Sequence, residues 1–416
     1  MEGSVSLSMN TKAVRLHGKR DLRLEEFELP PLGEDEILAK VVTDSICMST
    51  WKLVEQGARH KKAPADIGEH PIIVGHEFCG KIIEVGDGWK GEFSPGQRFV
   101  IQPNLQLPDK PWCPGYSYRY CGGDATRIII PADVMSQGCL IPYGGRTFFE
   151  GSLLEPLSCV VGAYRASYHV PLGTHEHVLG LKEGGRLLIL GGTGPMGLLA
   201  IDLALHGDRR PSHIVVTGRD QAKLDRAATL YPSEGATRVS LVSTAGVDDL
   251  VGLLSSVAGG RYDDVILMVP DAELVCAGSL LLAQDGCLNF FAGPVDRRFM
   301  GKANFYDIHY GGTHYVGSSG GTTDDLRESV RLVEEGAVDV AKVVTHVLGL
   351  NDCARVTNEQ RGMGGGKKLV YTHKDLPLTA LDDVDPRSEL GRILARSKGV
   401  WSKEAEDYVL SRERDL

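Results

Sequence analysis

Four residues with metal-binding side chains stand out, because thiolate, imidazole and carboxylate are the donors that a borderline-soft ion such as zinc accepts. They are Cys47, His76, Glu77 and Glu155. Each of them alone is more often structural. Together, and upstream of a nucleotide-binding motif, they favour a metal site in which three protein ligands leave a fourth position open for a substrate oxygen.

A glycine-rich segment lies between a strand-like run, Arg186–Leu190, and a helix-like run, Met196–His206. It matches G-x-G-x-x-G, in which the glycines permit a tight turn, close approach of the backbone to a pyrophosphate and close helix–strand packing. The phosphates are expected at the positive end of the helix. The alternative is a glycine-rich turn without function, but the position between strand and helix favours a dinucleotide site. The residues expected to bind the cofactor there are Gly192, Gly194, Pro195, Met196 and Gly197.

The residues after the next strand-like run, Ile214–Thr217, bear on the choice of cofactor. An NAD-dependent enzyme usually has an acid there for the ribose hydroxyls, whereas this sequence has Gly218 and Arg219. A guanidinium can bind a 2′-phosphate bidentately, and Lys223 adds a second positive charge. NADP(H) is therefore favoured over NAD(H). Two alternatives remain: Asp220 offers a carboxylate to the ribose, and an arginine at this position is also typical of a solvated surface.

The composition is that of a globular protein, with 416 residues, 42% hydrophobic and 24% charged residues and a net charge of -10. The length predicts about two domains, and the scattered charge argues against a nucleic-acid-binding surface. No apolar run approaches the roughly 20 residues of a membrane helix, and Met1 to Met9 are expected to be a flexible leader. Nine cysteines without a Cys-x-x-Cys pair indicate a reduced, cytoplasmic protein.

Two different patterns of strand-like and helix-like runs predict two kinds of domain. Residues 12–157 contain short β-rich runs separated by glycine and proline, which predict a barrel-like or sandwich-like domain. These runs are Ala13–Leu16, Glu36–Val42, Gly80–Val85, Arg98–Gln102 and Arg127–Pro131. From about residue 160, strand-like and helix-like runs alternate, which predicts a parallel sheet flanked by helices. After Arg186–Leu190 and Met196–His206 these are His213–Thr217, Asp220–Tyr231, Asp264–Val269, Ala272–Ala283, Cys287–Ala292 and Asp324–Gly336.

Two further strand-like runs, Val343–Leu348 and Lys368–Tyr371, are expected to return to the first domain. The predicted fold class is thus α/β, with a β-rich catalytic domain at 1–157 and 343–416. A doubly wound nucleotide-binding domain is inserted at 158–342. The tail from Leu376 predicts two short helices, one capped by Asp385 with Pro386 in its first turn and one capped by Ser402.

These motifs, in this order, resemble the zinc-dependent medium-chain dehydrogenase family, and specifically its sorbitol-type polyol branch, over about residues 12 to 372. The resemblance implies a GroES-like catalytic domain, a Rossmann domain, a cleft between them, a small-molecule substrate and a homodimer or homotetramer. The segments that carry it are Cys47, Gly75-His76-Glu77 with Gly80 and Gly86, Pro95-Gly96 with Arg98-Phe99-Val100, Gly122-Gly123, Glu155-Pro156-Leu157 and Gly192 to Gly197.

The resemblance also implies roles for individual residues. Cys47 and His76 match fixed zinc ligands, and Glu77 and Glu155 match two acids that sit at the metal directly or through water. Ser49 matches the hydroxyl that passes the substrate proton outward. Zinc would act as a Lewis acid on the substrate oxygen during hydride transfer.

The sequence departs from the family in two places. Many relatives hold a second, structural zinc on four cysteines, but the matching loop has only Cys113 and Cys121, so one catalytic zinc and no structural zinc are expected. Where relatives have an acid and a histidine after the relay hydroxyl, this chain has Thr50, Trp51 and Lys52. Lys52 is a candidate to replace that histidine.

A narrower resemblance is to sugar-phosphate reductases of the L-sorbose-1-phosphate type, which reduce a phosphorylated ketose. It rests on less diagnostic stretches, namely Cys47 to Lys52, Pro114 to Tyr118, Gly194 to Gly197 and the long tail. The basic run Arg59-His60-Lys61-Lys62 is a candidate for the substrate phosphate, but such a run more often forms a solvated loop. Arg297-Arg298 has the same ambiguity.

Three alternatives complete the predictions. His169, His175 and His177 have metal-like spacing, but a loop or interface position is favoured over a second metal site. A zinc-free quinone or enone reductase on the same fold is disfavoured, because all the ligands are present. A non-catalytic NADP-binding sensor is the alternative from another functional class.

Overall fold

The computed structural model describes residues 9–416, so the expected leader lies outside the described residues except for Met9. Backbone contacts divide the chain into two units. One comprises the residues up to Glu155 together with Val344–Leu416, and the other is Pro156–Val343. Within residues 9–416, no helix combines the length and the apolar character that crossing a membrane requires.

The first unit is built mainly from strands. Its elements up to the boundary are β1 (Asn10–Gly18), β2 (Asp21–Glu28), β3 (Ile37–Ser45), α1 (Met48–Gln56), β4 (Ile72–Ile73), β5 (Phe78–Val85), β6 (Arg98–Ile101), β7 (Arg127–Ile130), α2 (Ala132–Ser136), β8 (Leu140–Pro142), α3 (Phe148–Ser152) and α4 (Leu154–Ala166), whose helix runs across the boundary.

The second unit alternates strands and helices, as its sequence pattern predicts. Its elements are β9 (Tyr168–His169), β10 (Val178–Leu179), β11 (Arg186–Leu190), α5 (Pro195–His206), β12 (His213–Gly218), α6 (Gln221–Leu230), β13 (Arg238–Ser243), α7 (Leu250–Ala258), β14 (Tyr262–Leu267), α8 (Ala272–Leu280), β15 (Leu282–Phe290), α9 (Phe305–Gly311), β16 (His314–Gly317) and α10 (Thr323–Glu334).

The chain then returns to the first unit with β17 (Val344–Gly349), α11 (Leu350–Glu359), β18 (Lys367–Tyr371), β19 (Thr379–Ala380), α12 (Glu389–Arg396) and α13 (Lys403–Arg412). In the part of the chain that the structure describes, five short 3-10 segments complete the elements, at Gly57–Arg59, Asp87–Trp89, Val340–Val343, Gln360–Gly362 and Leu381–Asp383.

An eight-stranded sheet organises the first unit. Its order is β19-β17-β18-β3-β5-β6-β8, with β7 also paired to β3, and a second sheet has the order β2-β1-β4. Strand β3 pairs antiparallel with both β5 and β18, so residues far apart in sequence meet on it. The apolar faces of these sheets contribute to several buried clusters, and two large ones lie around Phe78 and Phe99 and around Leu53 and Leu348.

The six-stranded parallel sheet of the second unit has the order β13-β12-β11-β14-β15-β16. With β11 counted as the first strand, this is the 3-2-1-4-5-6 order of a dinucleotide-binding fold. It confirms the predicted doubly wound parallel sheet. Strand β13 and helix α7 are additions to the elements that the sequence pattern identified. Strand β15 begins at Leu282, before the predicted Cys287, and contains a residue with positive φ, Asp285.

The tail forms the two predicted helices, but the predicted cap of the first one is wrong. Helix α12 begins at Glu389, and its cap is Ser388, whose hydroxyl accepts a hydrogen bond from the backbone N–H of Gly391 at 2.9 Å. Asp385 and Pro386 lie in the turn before it, where Ser388 N–H donates to the carbonyl of Asp385 at 2.9 Å. The second cap is Ser402, as predicted.

Helix α13 fastens the tail to α3 through Glu406. Its carboxylate is buried and accepts the backbone N–H groups of Phe148 and Phe149, each at 2.8 Å. Trp401, which is fully buried, donates to the hydroxyl of Tyr371 at 2.8 Å. The tail is therefore part of the folded core of the first unit, and it stabilises the short helix that directly precedes α4 and Glu155.

Glu406→Ala should destabilise the protein strongly. The substitution leaves two buried N–H groups without an acceptor, and each such group costs about 1–3 kcal/mol. Glu404→Ala on the same helix is the matched control, because it removes only an exposed pair with Arg396. That loss is worth at most about 1 kcal/mol. Equal denaturation midpoints of the two variants would contradict the role assigned to Glu406.

Glu406 should also make stability depend on pH. Burial raises its pKa from the ordinary 4.5 to about 7, although the two backbone donors oppose this. The folded protein therefore keeps a proton that the unfolded chain has released. Stability should fall as pH rises from about 4.5 to about 7, and Glu406→Gln should lack that part of the pH dependence. A Gln variant with an unchanged pH profile of unfolding would show that another group is responsible.

Candidate active site

Three of the four predicted metal ligands meet where β3 and β5 run side by side. Cys47 is the cap residue of α1, directly after β3, and His76 and Glu77 directly precede β5. The backbone N–H of Ser45 donates to the carbonyl of Glu77 at 3.1 Å, which holds the two segments in register. The turn before His76 needs glycine at position 75, because its φ is +87° and a Cβ there would lie 2.5 Å from the carboxylate of Asp44.

The donor atoms of Cys47, His76 and Glu77 all lie within 4.8 Å of one another. His76 is 4% exposed and Glu77 is 1% exposed, whereas Cys47 is half-buried, so the group is shielded from water except on the side of the cysteine. Glu155 is not part of the group, but it is buried at the start of α4 and its charge helps to raise the pKa of Cys47. The structure thus brings three predicted ligands together and places the fourth nearby.

The protonation states of the group fit a divalent cation. Burial lowers the pKa of His76 to about 4, so its imidazole is neutral and can act as a ligand. Burial, together with the carboxylate of Glu77, raises the pKa of the Cys47 thiol to about 12. Two added positive charges would reverse this effect and favour the thiolate, as metal binding to cysteine requires. A thiol, an imidazole and a carboxylate in a buried group form a donor set that suits zinc.

Three hydroxyl groups surround the ring of His76. Ser49 donates to the sulfur of Cys47 at 3.0 Å and lies 3.2 Å from Nε2 of His76. Tyr116 lies 3.4 Å from the same nitrogen, and Thr50 contacts the other ring nitrogen, Nδ1, at 3.2 Å. Thr50 therefore orients the imidazole, a role that sequence reasoning did not give to it. Ser49 lies between two predicted ligands, where a proton-carrying hydroxyl is expected.

Sequence reasoning missed the partner of Glu77. The ammonium group of Lys367 contacts both carboxylate oxygens, with Oε1 at 2.5 Å, and the hydroxyl of Ser45 donates to Oε2. Burial opposes the charge of Lys367, but Glu77 and Cys47 raise its pKa above the ordinary range. Lys367 is 290 residues from Glu77 in sequence and reaches it because β18 pairs with β3. No sequence feature indicated it, because Lys367 lies directly before the predicted strand-like run Lys368–Tyr371 and joins β18 only in the structure.

The glycine-rich segment lies between β11 and α5, as predicted. Gly194 caps the helix, Pro195 is in its first turn, and Gly197 is so close to the preceding turn that a Cβ would lie 2.1 Å from the carbonyl of Gly192. The third glycine therefore permits the close packing that this motif requires.

Gly218, Arg219 and Asp220, at the end of β12 and directly after it, make different contacts. Asp220 caps α6, and its carboxylate accepts the backbone N–H of Lys223 at 3.2 Å. Arg219 is exposed, and within residues 9–416 no carboxylate lies within salt-bridge distance of its guanidinium. Gly218 has a steric reason to be glycine, because a Cβ would lie 2.6 Å from Cγ2 of Thr193.

The other residues that the sequence analysis considered as metal or phosphate ligands lie outside the group of Cys47, His76 and Glu77. Imidazole Nε2 of His169 contacts Asp264 at 3.2 Å, and Nδ1 contacts the carbonyl of Asp285 at 2.9 Å. His175 is exposed, and His177 stacks on Tyr168 with a centroid distance of 4.4 Å. Arg298 pairs with Asp296 at 3.0 Å on the surface, so a neighbouring acid offsets its charge. Cys113 donates to the carbonyl of Pro103 at 2.8 Å, and Cys121 is buried.

Comparison with known proteins agrees with this architecture. Residues 33–143 match the model of the alcohol dehydrogenase GroES-like domain. Over 410 residues, 98% of each chain, the sequence is 55% identical to L-sorbose 1-phosphate reductase of Klebsiella pneumoniae. It is 43% identical over 412 residues to mannitol-1-phosphate 5-dehydrogenase of Aliivibrio fischeri, covering 96% of this chain and 97% of the relative. The structure of 2R,3R-butanediol dehydrogenase from Bacillus subtilis matches 87% of this chain and 99% of its own, with a TM-score of 0.72 and 21% identity.

The chain belongs to the zinc-dependent medium-chain dehydrogenase/reductase family. It is an oxidoreductase, and the predicted α/β fold with a GroES-like domain and a Rossmann domain is confirmed.

Proposed function

We propose that this protein is a cytoplasmic, zinc-dependent reductase that transfers a hydride from NADPH to the carbonyl carbon of a ketose phosphate such as L-sorbose 1-phosphate. The observation that carries the proposal is the buried group of Cys47, His76 and Glu77 beside the hydroxyl of Ser49. The close similarity to L-sorbose 1-phosphate reductase along nearly the whole chain supports the substrate class. The family resemblance favours a homodimer or homotetramer.

The proposed mechanism assigns zinc to Cys47 and His76, with Glu77 and Glu155 as further acids at the metal. A zinc ion held by these residues would supply Lewis-acid chemistry at the substrate carbonyl, and bound NADPH would supply the hydride. Ser49 is partly exposed and would relay a proton between solvent and the substrate oxygen, inward to the developing alkoxide in reduction and outward in oxidation. Thr50 keeps the imidazole of His76 oriented, and Lys367 offsets the charge of Glu77 in the buried group.

Cofactor choice in this proposal depends on Arg219. Its exposed guanidinium lies after β12, where a 2′-phosphate is expected, and the capping role of Asp220 leaves that carboxylate less available to a ribose. Lys223, one helical turn further on, adds a positive charge. One catalytic zinc and no structural zinc are proposed, because Cys113 and Cys121 alone cannot complete a tetrahedral site.

The test combines metal analysis with a substrate screen. Purified protein should contain about one tightly bound zinc per chain, as expected for a single catalytic site. NADPH oxidation is then followed with ketoses, their phosphate esters and simple enones. Zinc-free protein that reduces enones would favour the quinone or enone reductase instead, and zinc-free protein without turnover would favour the NADP-binding sensor.

Glu155→Ala should lower kcat more than it lowers zinc content. The residue lies outside the three-ligand group, so the ion should remain, yet its charge reaches Cys47. Loss of a residue that tunes a metal site typically costs about 10- to 100-fold in activity or metal affinity. Zinc content and kcat are measured on the same preparation, with Glu155→Gln as the variant that preserves side-chain volume. Unchanged kcat at full zinc occupancy would assign Glu155 a structural role.

A further inference from the structure

The basic run from Arg59 to Lys62 has no part in the mechanism above, but the structure places it close to the metal-ligand group. It follows α1, the helix that Cys47 caps, through a short 3-10 turn. The hydroxyl of Ser117 donates to the carbonyl of Lys62 at 2.7 Å and accepts the N–H of Cys113 at 2.9 Å. The run is therefore fastened to the loop that carries Tyr116 and is more than a solvated segment.

The ring of Tyr116 connects Lys62 to the metal-ligand group. The ring centroid lies 4.8 Å from that of His76 and 5.1 Å from the ammonium nitrogen of Lys62. The ammonium and the imidazole are therefore no further apart than the sum of these two distances. In a ketose 1-phosphate the ester is on the carbon next to the carbonyl, so a carbonyl beside His76 keeps the phosphate on the same side of the site as Tyr116 and within reach of the flexible Lys62 side chain.

Lys62 has an ammonium group that no acid offsets. It is half-buried, and its contacts are the sulfur of Cys113 at 3.4 Å and the face of Tyr116. Within residues 9–416 these are the contacts of its ammonium group, and neither partner is a carboxylate. A partly desolvated positive charge without an acid is costly unless an anion binds there.

Further positive charges converge on the same place. Burial lowers the pKa of His60 to about 4, and the charges of Lys62, Lys61 and Lys52 lower it further in that order of effect. His60 stacks on Tyr116 with a centroid distance of 5.6 Å and is neutral at physiological pH. His60 therefore feels several ammonium groups, of which Lys62 lies over the face of Tyr116, and this combination of positive charge with uncharged rings suits a dianion.

We propose that Lys62, supported by Lys61, binds the phosphate group of the substrate and makes the enzyme selective for ketose phosphates over free ketoses. This inference rests on the proposed function. An ammonium group suits the role because it supplies three donors on a flexible stem, so phosphate groups at somewhat different positions along a sugar can be accommodated.

The test compares Lys62→Met with the wild type on L-sorbose 1-phosphate and L-sorbose. Methionine keeps an apolar stem against Tyr116 and removes the charge. The ratio of kcat/KM for the phosphate ester to that for the free ketose should fall about 10- to 100-fold, because a charge-assisted contact to the ester is lost. Lys62→Arg should retain much of the ratio. The control is Lys90→Met, which alters an exposed lysine paired with Asp87, and it should leave the ratio unchanged.

Binding of inorganic phosphate to the zinc-loaded protein, followed by calorimetry, tests the subsite without turnover. The wild type should bind phosphate at a site that competes with L-sorbose 1-phosphate, and Lys62→Met should bind it at least 10-fold more weakly. Equal phosphate binding by the two proteins, or an unchanged substrate ratio, would overturn the assignment to Lys62. Failure of the wild type to reduce any ketose phosphate would instead overturn the proposed function, even if Lys62 binds phosphate.

Discussion

The Cys47→Ala protein is expected to lose its zinc and nearly all turnover while it still binds NADPH. Cys47 supplies the only thiol of the group formed with His76 and Glu77, and a methyl group cannot coordinate a metal. Loss of Lewis-acid stabilisation raises the activation free energy by several kcal/mol, which corresponds to a fall in kcat of about 1000-fold or more. The nucleotide motif belongs to the other unit, so the dissociation constant of NADPH should be unchanged.

Zinc content by mass spectrometry, kcat and NADPH binding are measured on one preparation. Cys276→Ala is the matched control, because it removes a half-buried thiol from α8 in the second unit and should leave all three quantities unaltered. Reconstitution with excess zinc should not rescue the Cys47 variant. Full activity of metal-free Cys47→Ala protein would refute the zinc mechanism.

Much of the fold could be predicted because the sequence features that indicate it are local. Glycine-rich turns and β-rich runs marked β3, β5, β6 and β7, and alternation of strand-like and helix-like runs marked the nucleotide-binding unit. The predicted cap of α12 is wrong because Asp385, followed by proline, has the local sequence features of a helix start. The chain instead makes a turn from Asp385 to Ser388 before the helix begins. Local propensity did not distinguish these two neighbouring starts.

The candidate site could be predicted in part for the same reason. His76 and Glu77 are adjacent and stand in a recognisable motif, and Cys47 has its own short motif. Lys367 could not be found, because its contact with Glu77 depends on how β18 pairs with β3, and the sequence pattern does not state that register. The contacts of Thr50 and Tyr116 with His76 likewise depend on side-chain directions that spacing does not reveal.

The second large effect is expected in cofactor binding. Arg219→Ala should weaken NADPH about 10- to 150-fold, which corresponds to a charge-assisted bidentate contact of roughly 1.5–3 kcal/mol. NADH should be almost unaffected, because it lacks the 2′-phosphate that the guanidinium is proposed to bind. Lys223→Ala should weaken NADPH binding by a smaller factor and should likewise leave NADH binding almost unaffected. Arg327→Ala is the control, since it removes an exposed arginine of the same unit that pairs with Asp324.

Asp220 determines how the cofactor result is interpreted, because its carboxylate directly follows Arg219 in the chain and is the acid that the ribose of NAD would use. As the cap of α6 it should contribute about 0.5–2 kcal/mol to stability, so Asp220→Ala should lower the denaturation midpoint. Affinity for NADH should change little if capping is its whole role. Gly218→Asp is unsuitable as a test, because its side chain would displace Thr193 within the glycine-rich segment. If the wild type binds NADH as tightly as NADPH, and Asp220→Ala weakens NADH while Arg219→Ala changes neither cofactor, the enzyme uses NAD.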